Sequence, residues 1–421
     1  MKYQIEAWQR GHVDIGREKA RSRGGCQHRP ASAKPARKVY HPPNPESRLV
    51  THKLMSSSVF PAPKRVLVIR LQNHGDVLLT TPVFSALKRQ FPGVEVDALV
   101  FAETAPMLAA NPDLNRVWSL QRGKQVGRGL RRARVLLQLM LDIRHRRYDW
   151  VLHLNDQWPG AIAAAVSGAS VRFGYEMEKR DFWLWRKIFP VRIVPTFAGH
   201  MVEKNLAVLA ALGVSADVHN APCTMGFSGQ DAALVRGKLA DAGVAGKYVL
   251  IHPTSRWFFK CWEDDRFAEV IAALAAAGWQ VVLTSAPDRR EIDLVDGLLQ
   301  RVNHPAVVSL AGKLTLPQLA AAIAGATLFV GVDSVPMHMA AALGVPLVAL
   351  FGPTHVHIWR PWSDRAEVIH AADYGPLIAP NDVDTSTTER YLSNIPVPPV
   401  MDAVWRQLAR FGDQQPVAHV A

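Results

Sequence analysis

The stretch "TLFVGVDSVPMHMAAALGVPLVALFGP", residues 327–353, contains a strand, a helix and a second strand in close succession. The apolar, β-branched run at 327–332 predicts a buried strand, and the run at 345–353 predicts another. Small and apolar residues after Ser334 predict a helix that begins directly where the first strand ends. A strand, a helix and a strand in this order form a βαβ unit, so we expect a parallel sheet covered by helices.

The same alternation occurs in both halves of the 421-residue chain. Short apolar runs that predict strands alternate with helical segments, and the pattern starts again near residue 246. Two doubly wound α/β halves of this kind enclose a cleft, and ligands bind at the carboxyl ends of the strands. The predicted strands are 64–71, 94–100, 148–154, 248–253, 279–285, 327–332 and 345–353. The predicted units are 61–245, 246–398 and a closing segment, 399–421, that contains a helix.

The composition is that of an ordinary globular chain, with 48% hydrophobic and 20% charged residues. The 3 cysteines are far apart and lack the spacing of metal ligands, which favours free thiols in a reducing compartment. No apolar run reaches the roughly 18–20 residues that span a bilayer, and the N-terminus lacks the apolar segment of a secretory signal. We therefore expect a cytoplasmic protein that is soluble or attached to a membrane surface.

The first 60 residues differ from the rest of the chain. The net charge of +13 is concentrated in residues 1–54, which are rich in Arg, Pro and Ser and show no periodicity. This composition predicts a disordered basic tail. Such a tail is typical of an arm that binds nucleic acid or anionic lipid, whereas the alternative is that the translated protein starts at Met55. We favour the second interpretation because ordered apolar sequence begins only after this tail.

Polar residues follow the predicted strand at 327–332. Asp333 and Ser334 are good cap residues for the next helix, and the start of a helix attracts phosphate. His338 lies one turn later on the same side as Ser334. Each residue alone fits a purely structural role, but the three together at the carboxyl end of a strand predict a nucleotide-diphosphate site. The glycine-rich sequences typical of nicotinamide-binding and P-loop proteins do not occur.

A second candidate site follows the predicted strand at 248–253. Thr254 and Ser255 supply hydroxyl groups, and Lys260 supplies a mobile cation, where a pyrophosphate bound at the carboxyl end of the sheet lies. The alternative interpretation is a charged loop on a solvated face.

A third candidate site follows the predicted strand at 64–71. Gly75 allows a tight turn, and Asp76 then stands at the start of a helix that faces the cleft. A carboxylate there is placed to act as general base on an acceptor hydroxyl. The alternative interpretation is a plain helix cap.

The motifs that contain these residues resemble those of a known family, the lipopolysaccharide heptosyltransferases of glycosyltransferase family 9, which have the GT-B fold. The resemblance covers roughly residues 64–411, and the sequence "NHGD" at 73–76 is most similar to the heptosyltransferase III subgroup. The matching segments are "NHGDVLLTTP" (73–82), "HPTSRWFFKCW" (252–262), "AGKLTLPQLAAAI" (311–323), "GVDSVPMHMAAALGVP" (331–346) and "LFGPT" (350–354).

The resemblance implies an inverting, metal-independent transfer of heptose from ADP-heptose to a heptose of the lipopolysaccharide inner core. It implies that 61–245 binds the acceptor and 246–398 binds the nucleotide sugar, with no cofactor. The family often has Thr-Gly after the aspartate of its donor motif, whereas this chain has Ser334 and Val335. By motif match, Asp76 is the base, and the donor diphosphate is held by Thr254, Ser255, Lys260, Ser334 and Val335. The donor sugar or nucleotide is then contacted by Asp333, His338 and Asp288.

The basic stretch 122–147 is a candidate docking surface. Its residues Arg131, Arg132 and Arg134 are expected to bind the lipid A–core acceptor or the inner face of the inner membrane. The alternative is a helix with a solvated basic face.

Two other functions stay open at this stage. A sugar-nucleotide epimerase has a similar two-domain shape, but it needs further acids in the cleft. The interpretation as a basic nucleic-acid-binding protein depends mainly on the first 54 residues. We therefore expect no nucleic-acid partner for the rest of the chain. The accepting hydroxyl, the heptose stereoisomer and the oligomeric state are not encoded in these motifs.

Overall fold

The computed structural model describes residues 60–122, 130–180, 182–195 and 199–413. Within these ranges the chain forms two sheets of six strands each, and neighbouring strands in both sheets are parallel. The predicted basic tail, with Cys26 and Met55, lies outside the described residues.

The first sheet is formed by residues 65–193 and has the strand order β3-β2-β1-β4-β5-β6. Its central strands are almost completely buried, which explains their continuous apolar sequences. The strands are β1 (Arg65–Arg70), β2 (Glu95–Phe101), β3 (Arg116–Leu120), β4 (Trp150–His153), β5 (Val171–Tyr175) and β6 (Val191–Ile193). The helices of this half are α1 (His74–Leu78), α2 (Thr81–Gln90), α3 (Leu130–His145), α4 (Trp158–Ser167), α5 (Trp183–Ile188) and α6 (Met201–Ala210).

The second sheet is formed by residues 248–370 and has the order β12-β11-β10-β7-β8-β9. Its strands are β7 (Tyr248–His252), β8 (Gln280–Leu283), β9 (Val307–Ser309), β10 (Leu328–Val332), β11 (Leu347–Phe351) and β12 (Ala366–His370). Its helices are α7 (Gly229–Asp241), α8 (Asp264–Ala276), α9 (Arg289–Val302), α10 (Leu316–Ala324), α11 (Val335–Ala342), α12 (Val356–Trp359) and α13 (Val397–Phe411). The predicted α/β fold is therefore confirmed, and each of the seven predicted strand segments contains a strand.

Both sheets have the same topology. In each, the strand that comes first in the chain lies in the middle, and the chain then builds outward on one side before it crosses to the other. The order therefore reverses between β1 and β4 in the first sheet and between β7 and β10 in the second. In open α/β sheets, a crevice that binds ligands forms at the carboxyl ends of the strands at this reversal.

Helix α7 precedes the predicted boundary at 245/246 but packs against α10 of the second half. Lys238 on α7 donates hydrogen bonds to the Lys313 carbonyl oxygen and to Gln318 Oε1, at 2.6 and 2.9 Å. Ser228 begins this helix with a capping box, in which its side chain and that of Asp231 satisfy backbone amides reciprocally. We therefore propose that the second structural unit begins at Ser228.

The two halves contact each other through helices and loops that follow the strands. Helix α1 of the first half packs against α11 of the second. His200, the N-cap of α6, donates from Nε2 to the Arg360 carbonyl oxygen at 2.8 Å and stacks on Trp362. The Trp362 indole nitrogen in turn donates to the Ala221 carbonyl oxygen at 3.0 Å. These contacts bring the carboxyl ends of β1 and β10 to one cleft.

Candidate active site

The carboxylate of Asp333 lies directly after β10, at the reversal point of the second sheet. Its Oδ2 atom accepts hydrogen bonds from Lys260 Nζ at 2.7 Å and from Thr354 Oγ1 at 2.8 Å. The N-cap of α11 is Ser334, and no side chain caps this helix. The prediction that Asp333 acts as a helix cap was wrong, because its carboxylate is turned to the lysine instead.

Lys260, which the sequence predicted as a mobile cation, is paired with Asp333 in the structure. It ends a short 3₁₀ turn, Phe258–Lys260, and its ammonium lies 5.0 Å from the ring centroid of Trp257. An ammonium has three donors, so the bond to Asp333 leaves donors for a ligand. The Lys260 ammonium is largely buried, and the low dielectric there strengthens its attraction for an anion in the cleft, although Asp333 offsets part of its charge.

The start of α11 has the properties of an anion-binding site. The amide of Val335 belongs to the first turn, where backbone N–H groups have no partner within the helix, and the helix dipole is positive there. The Ser334 hydroxyl is buried without a hydrogen-bond partner among the described residues. With the Lys260 ammonium nearby in the same crevice, these groups form a site for a diphosphate.

His338 lies one turn into α11 and is buried. Burial lowers its pKa to about 4, so the imidazole is neutral at physiological pH. Its Nδ1 atom has no hydrogen-bond partner in the described part of the chain. The ring contacts the first half, since a Cβ atom on Gly75 would lie 3.4 Å from His338 Cδ2.

The hydroxyl of Thr254 does not face the cleft. Thr254 is completely buried, and its Oγ1 donates to Glu291 Oε2 at 2.6 Å. Glu291 Oε2 also accepts from the Ala286 amide at 3.3 Å, so it ties the loop after β7 to the loop after β8. The predicted role of Thr254 in binding the diphosphate through its hydroxyl is therefore replaced by a role in shaping the loop. Sequence reasoning missed Glu291.

Ser255 and Asp288 have different environments. Ser255 is buried at the carboxyl end of β7, beside the loop that leads to Lys260. Asp288 is exposed and is the N-cap of α9, where its side chain accepts from the Arg290 amide at 3.0 Å. This capping bond is sufficient to explain why an aspartate occupies position 288, so no contact with a nucleotide is needed to explain it.

Asp76 lies in the first turn of α1, at the reversal point of the first sheet. The N-cap of this helix is Asn73, so the alternative interpretation of Asp76 as a plain cap was wrong. Its Oδ1 atom accepts from Arg70 Nη2 at 2.9 Å, and the side chain keeps 12% of its surface exposed. Sequence reasoning did not identify Arg70, which is buried at the end of β1.

The two reversal points face each other. Helix α1, which contains Gly75 and Asp76, packs against α11, and the His338 ring on α11 lies beside Gly75. Asp76 of the first half and Asp333 of the second are both close enough to affect the pKa of His338. The structure thus brings together Asp76, Lys260, Asp333, Ser334, Val335 and His338, which the sequence had placed in three separate segments.

The predicted docking residues lie on α3. Arg131 and Arg134 are exposed, whereas the side chain of Arg132 is outside the described part of the structure. The helix also exposes Val135, Leu137 and Leu141. Among the described residues, no helix combines the length and apolar character needed to cross a membrane.

Comparisons with known proteins decide the family. Residues 136–388 match glycosyltransferase family 9 (heptosyltransferase). A lipopolysaccharide heptosyltransferase 3 of Escherichia coli is 40% identical over 331 residues, which is 79% of this chain and 95% of that protein. The corresponding protein of strain K12 is 36% identical over 338 residues, covering 80% and 96% of the two chains.

The chain belongs to glycosyltransferase family 9, the heptosyltransferases. The predicted family and the similarity to the heptosyltransferase III subgroup are confirmed, and the chain is an enzyme of the transferase class.

Solved structures agree with the fold of this family 9 enzyme. A glycosyl transferase family 9 protein from Veillonella parvula has a TM-score of 0.70 at 21% identity, over 82% of this chain and 97% of that one. The E. coli ADP-heptose LPS heptosyltransferase II has a TM-score of 0.64 at 22% identity, over 82% and 99% of the two chains. The two Rossmann-like halves of this glycosyltransferase are thus arranged as in the GT-B fold.

Proposed function

We propose that this enzyme transfers heptose, with inversion, from ADP-heptose to a heptose of the lipopolysaccharide inner core. The observation that carries the proposal is the packing of α1, which contains Asp76, against α11, whose start is the diphosphate site. A carboxylate from one half and a diphosphate site from the other then lie on opposite sides of one donor sugar. The substrates are those of the lipopolysaccharide heptosyltransferases to which the chain is 40% and 36% identical.

Asp76 is the general base in this proposal. Its carboxylate takes the proton of the accepting hydroxyl while the oxygen of that hydroxyl attacks the anomeric carbon of the donor. Attack from the face opposite the leaving ADP inverts the configuration. The proton on Asp76 is then released to solvent, since part of the side chain is exposed.

The leaving diphosphate is stabilised from the second half. The Lys260 ammonium, the Ser334 hydroxyl and the amide of Val335 are positioned to donate to its oxygens, and their preorganisation lowers the free energy of the transition state. The β-branched Val335 retains this amide although many family members have glycine there. Cationic and helix-amide stabilisation of this kind supports a reaction that needs no metal ion and no cofactor.

The donor sugar and nucleotide contact further residues in this proposal. His338 is neutral and accepts or donates hydrogen bonds without adding charge. Asp333 Oδ2 accepts a hydrogen bond from Lys260, so Asp333 affects the donor by orienting the lysine ammonium. Asp288 is the weakest of the predicted contacts, since its carboxylate caps α9.

We further propose that the first half docks at the cytoplasmic face of the inner membrane, where the lipid A–core acceptor lies. Helix α3 packs against α4, and α4 packs against α5. These three helices expose Leu137, Ile162 and Trp183, with exposed fractions of 60%, 50% and 71%. Together with the cations Arg131 and Arg134 they form a basic and apolar surface, which suits an anionic lipid headgroup region.

The experiment that tests the proposed reaction is incubation of the protein with ADP-heptose and a series of truncated core acceptors, followed by mass analysis of the products. We expect one added heptose on an acceptor that already carries inner-core heptose. Consumption of ADP-heptose without any acceptor would instead indicate an epimerase, and absence of transfer to every core acceptor would refute the proposal.

A further inference from the structure

We propose that Arg70 is a positioning residue that fixes the Asp76 carboxylate, so that Oδ2 is the atom that takes the proton of the accepting hydroxyl. The inference rests on the proposed function, in which Asp76 is the base. Arg70 Nη2 donates to Asp76 Oδ1 at 2.9 Å. A carboxylate held at one oxygen presents the other in a fixed direction, and such orientation is a large part of catalytic efficiency.

The guanidinium of Arg70 has contacts besides the one with Asp76. Its Nη1 donates to the Leu154 carbonyl oxygen, directly after β4, and its Nη2 contacts Met201 Sδ at 3.6 Å. One planar group therefore joins the ends of the two central strands of the sheet to α1 and α6. Arginine presents several donors in a rigid fork, whereas lysine presents one compact charge and cannot hold two diverging acceptors in the same way.

Stability alone does not account for this arginine. Arg70 is only 3% exposed, and its Nε atom is buried without a hydrogen-bond partner among the described residues. Burying a charge is unfavourable unless its donors are satisfied, and apolar residues of similar volume are often at least as stable in such places. A buried cation that is incompletely satisfied and bound to the carboxylate of the candidate base is better explained by the reaction.

Other charged groups lie around the Asp76 carboxylate. Among the described residues, Lys204 on α6 and the neutral His338 on α11 also face it, and Asp156 lies close to Lys204. Arg70 Nη2 donates directly to Asp76 Oδ1, so Arg70 is placed to fix the direction of the carboxylate.

The test uses Arg70→Met and Arg70→Lys, each in the wild-type and in the Asp76→Asn background. With ADP-heptose and a truncated acceptor, we expect Arg70→Met to lower kcat about 10²-fold, as a misoriented catalytic group does. The KM for ADP-heptose should not change, because the donor site is on the other half.

Arg70→Lys keeps the charge and is the variant least expected to disturb folding. It should restore kcat only in part, because a lysine cannot hold the Leu154 carbonyl oxygen and the Asp76 carboxylate together. In the Asp76→Asn background, both substitutions should change the residual rate by less than about 2-fold, since a positioning residue acts through the group it positions. Arg65→Met, at the opposite end of β1, is the matched control and should retain full activity.

Equal fold losses in both backgrounds would overturn the inference, as would a rise in the KM for ADP-heptose as large as the fall in kcat. If Arg70→Met does not fold, as judged by thermal unfolding, the Arg70→Lys cycle decides the question by the same criteria. Failure of the proposed function is seen separately, because the wild-type enzyme itself would then transfer no heptose.

Discussion

The carboxylate of Asp76 is held by a buried arginine and lies opposite the diphosphate site, which together define its role as the base. Asp76→Asn preserves the size and the bond to Arg70 but removes the basicity. We expect turnover to fall about 10²–10⁴-fold, the usual contribution of general-base catalysis. ADP affinity, measured by calorimetry, should not change. Asp296→Asn, on the exposed face of α9, is the matched control, and near-normal turnover in Asp76→Asn would refute the assignment.

Lys260 and Asp333 form a unit in which the carboxylate orients the ammonium. Lys260→Ala should lower kcat roughly 10²-fold and weaken ADP binding, because a preorganised cation at the leaving group is lost. Asp333→Asn should cause a smaller loss, and the double variant should be no worse than Lys260→Ala alone.

The measurements are steady-state kinetics and ADP titration, with exposed Lys313→Ala as the control for a lost lysine charge. Full activity is expected in excess chelator. A strict requirement for a divalent cation, or additive losses from Lys260→Ala and Asp333→Asn, would contradict this arrangement.

Helix α3 presents cations and apolar side chains on one side. Arg134, Leu137 and Leu141 are three or four residues apart and therefore lie on the same face of the helix. Reversal of Arg131, Arg132 and Arg134 to Glu should weaken binding to anionic vesicles, since each surface cation contributes about 1 kcal/mol there. The effect should be greatest at low salt, because charges are screened beyond about 8 Å at physiological ionic strength.

Vesicle co-sedimentation across a salt series measures this binding. Leu137→Ser should weaken it at every salt concentration, because the apolar contribution is not screened. Lys313→Glu changes the charge of the other half and should have no effect. Unchanged vesicle binding after the triple reversal would show that α3 is only a solvated face, and reduced ADP affinity would show that the fold was damaged.

The sequence predicts helices and strands well where a single hydrophobic pattern extends over the whole segment. The runs 64–71 and 248–253 are β-branched and buried, so periodicity alone identifies β1 and β7. Strand β3 has mixed burial at the edge of its sheet, so it lacks such a pattern and was not predicted. The functional motifs were located correctly as strand ends, because the position of a ligand crevice follows from topology.

Pairs formed across the fold could not be predicted. Lys260 and Asp333 come from loops after different strands, and only the parallel pairing of β7 with β10 makes them neighbours. The same holds for Arg70, which has the sequence pattern of an ordinary strand end, and for Thr254 with Glu291. A hydroxyl in a predicted binding loop does not reveal whether it faces the ligand or the protein.

Four buried histidines in the described part of the chain contribute to the dependence of stability on pH. Burial lowers the pKa of His153 and His252 to about 3 and that of His200 and His338 to about 4. The unfolded chain, with pKa values near 6.5, binds more protons in this range, so the free energy of unfolding falls as pH decreases below 6.5. We expect the melting temperature to fall steadily from pH 6.5 towards pH 4.

His153 offers a direct test, because its ring stacks on Phe189 and both nitrogens are buried without a partner among the described residues. His153→Leu should lose less stability between pH 7 and pH 5 than the wild-type enzyme in thermal unfolding scans. His145→Gln, at an exposed position, should behave as the wild type. Identical pH dependence in all three proteins would show that His153 does not contribute to acid sensitivity.

The shared strand order of the two sheets has a consequence for the order in which the enzyme folds. In each sheet, the crevice forms between the two paired strands that are separated by the longest stretch of sequence. Val66 pairs with Trp150 in the first sheet, and Val249 pairs with Leu328 in the second. Closing a long loop costs more conformational entropy than closing a short one. Strands that are close in sequence, such as β1 and β2, are therefore expected to pair earlier during synthesis on the ribosome. We therefore expect each crevice to form only after the fourth strand of its half has left the ribosome, so that a shorter nascent chain has no complete binding site.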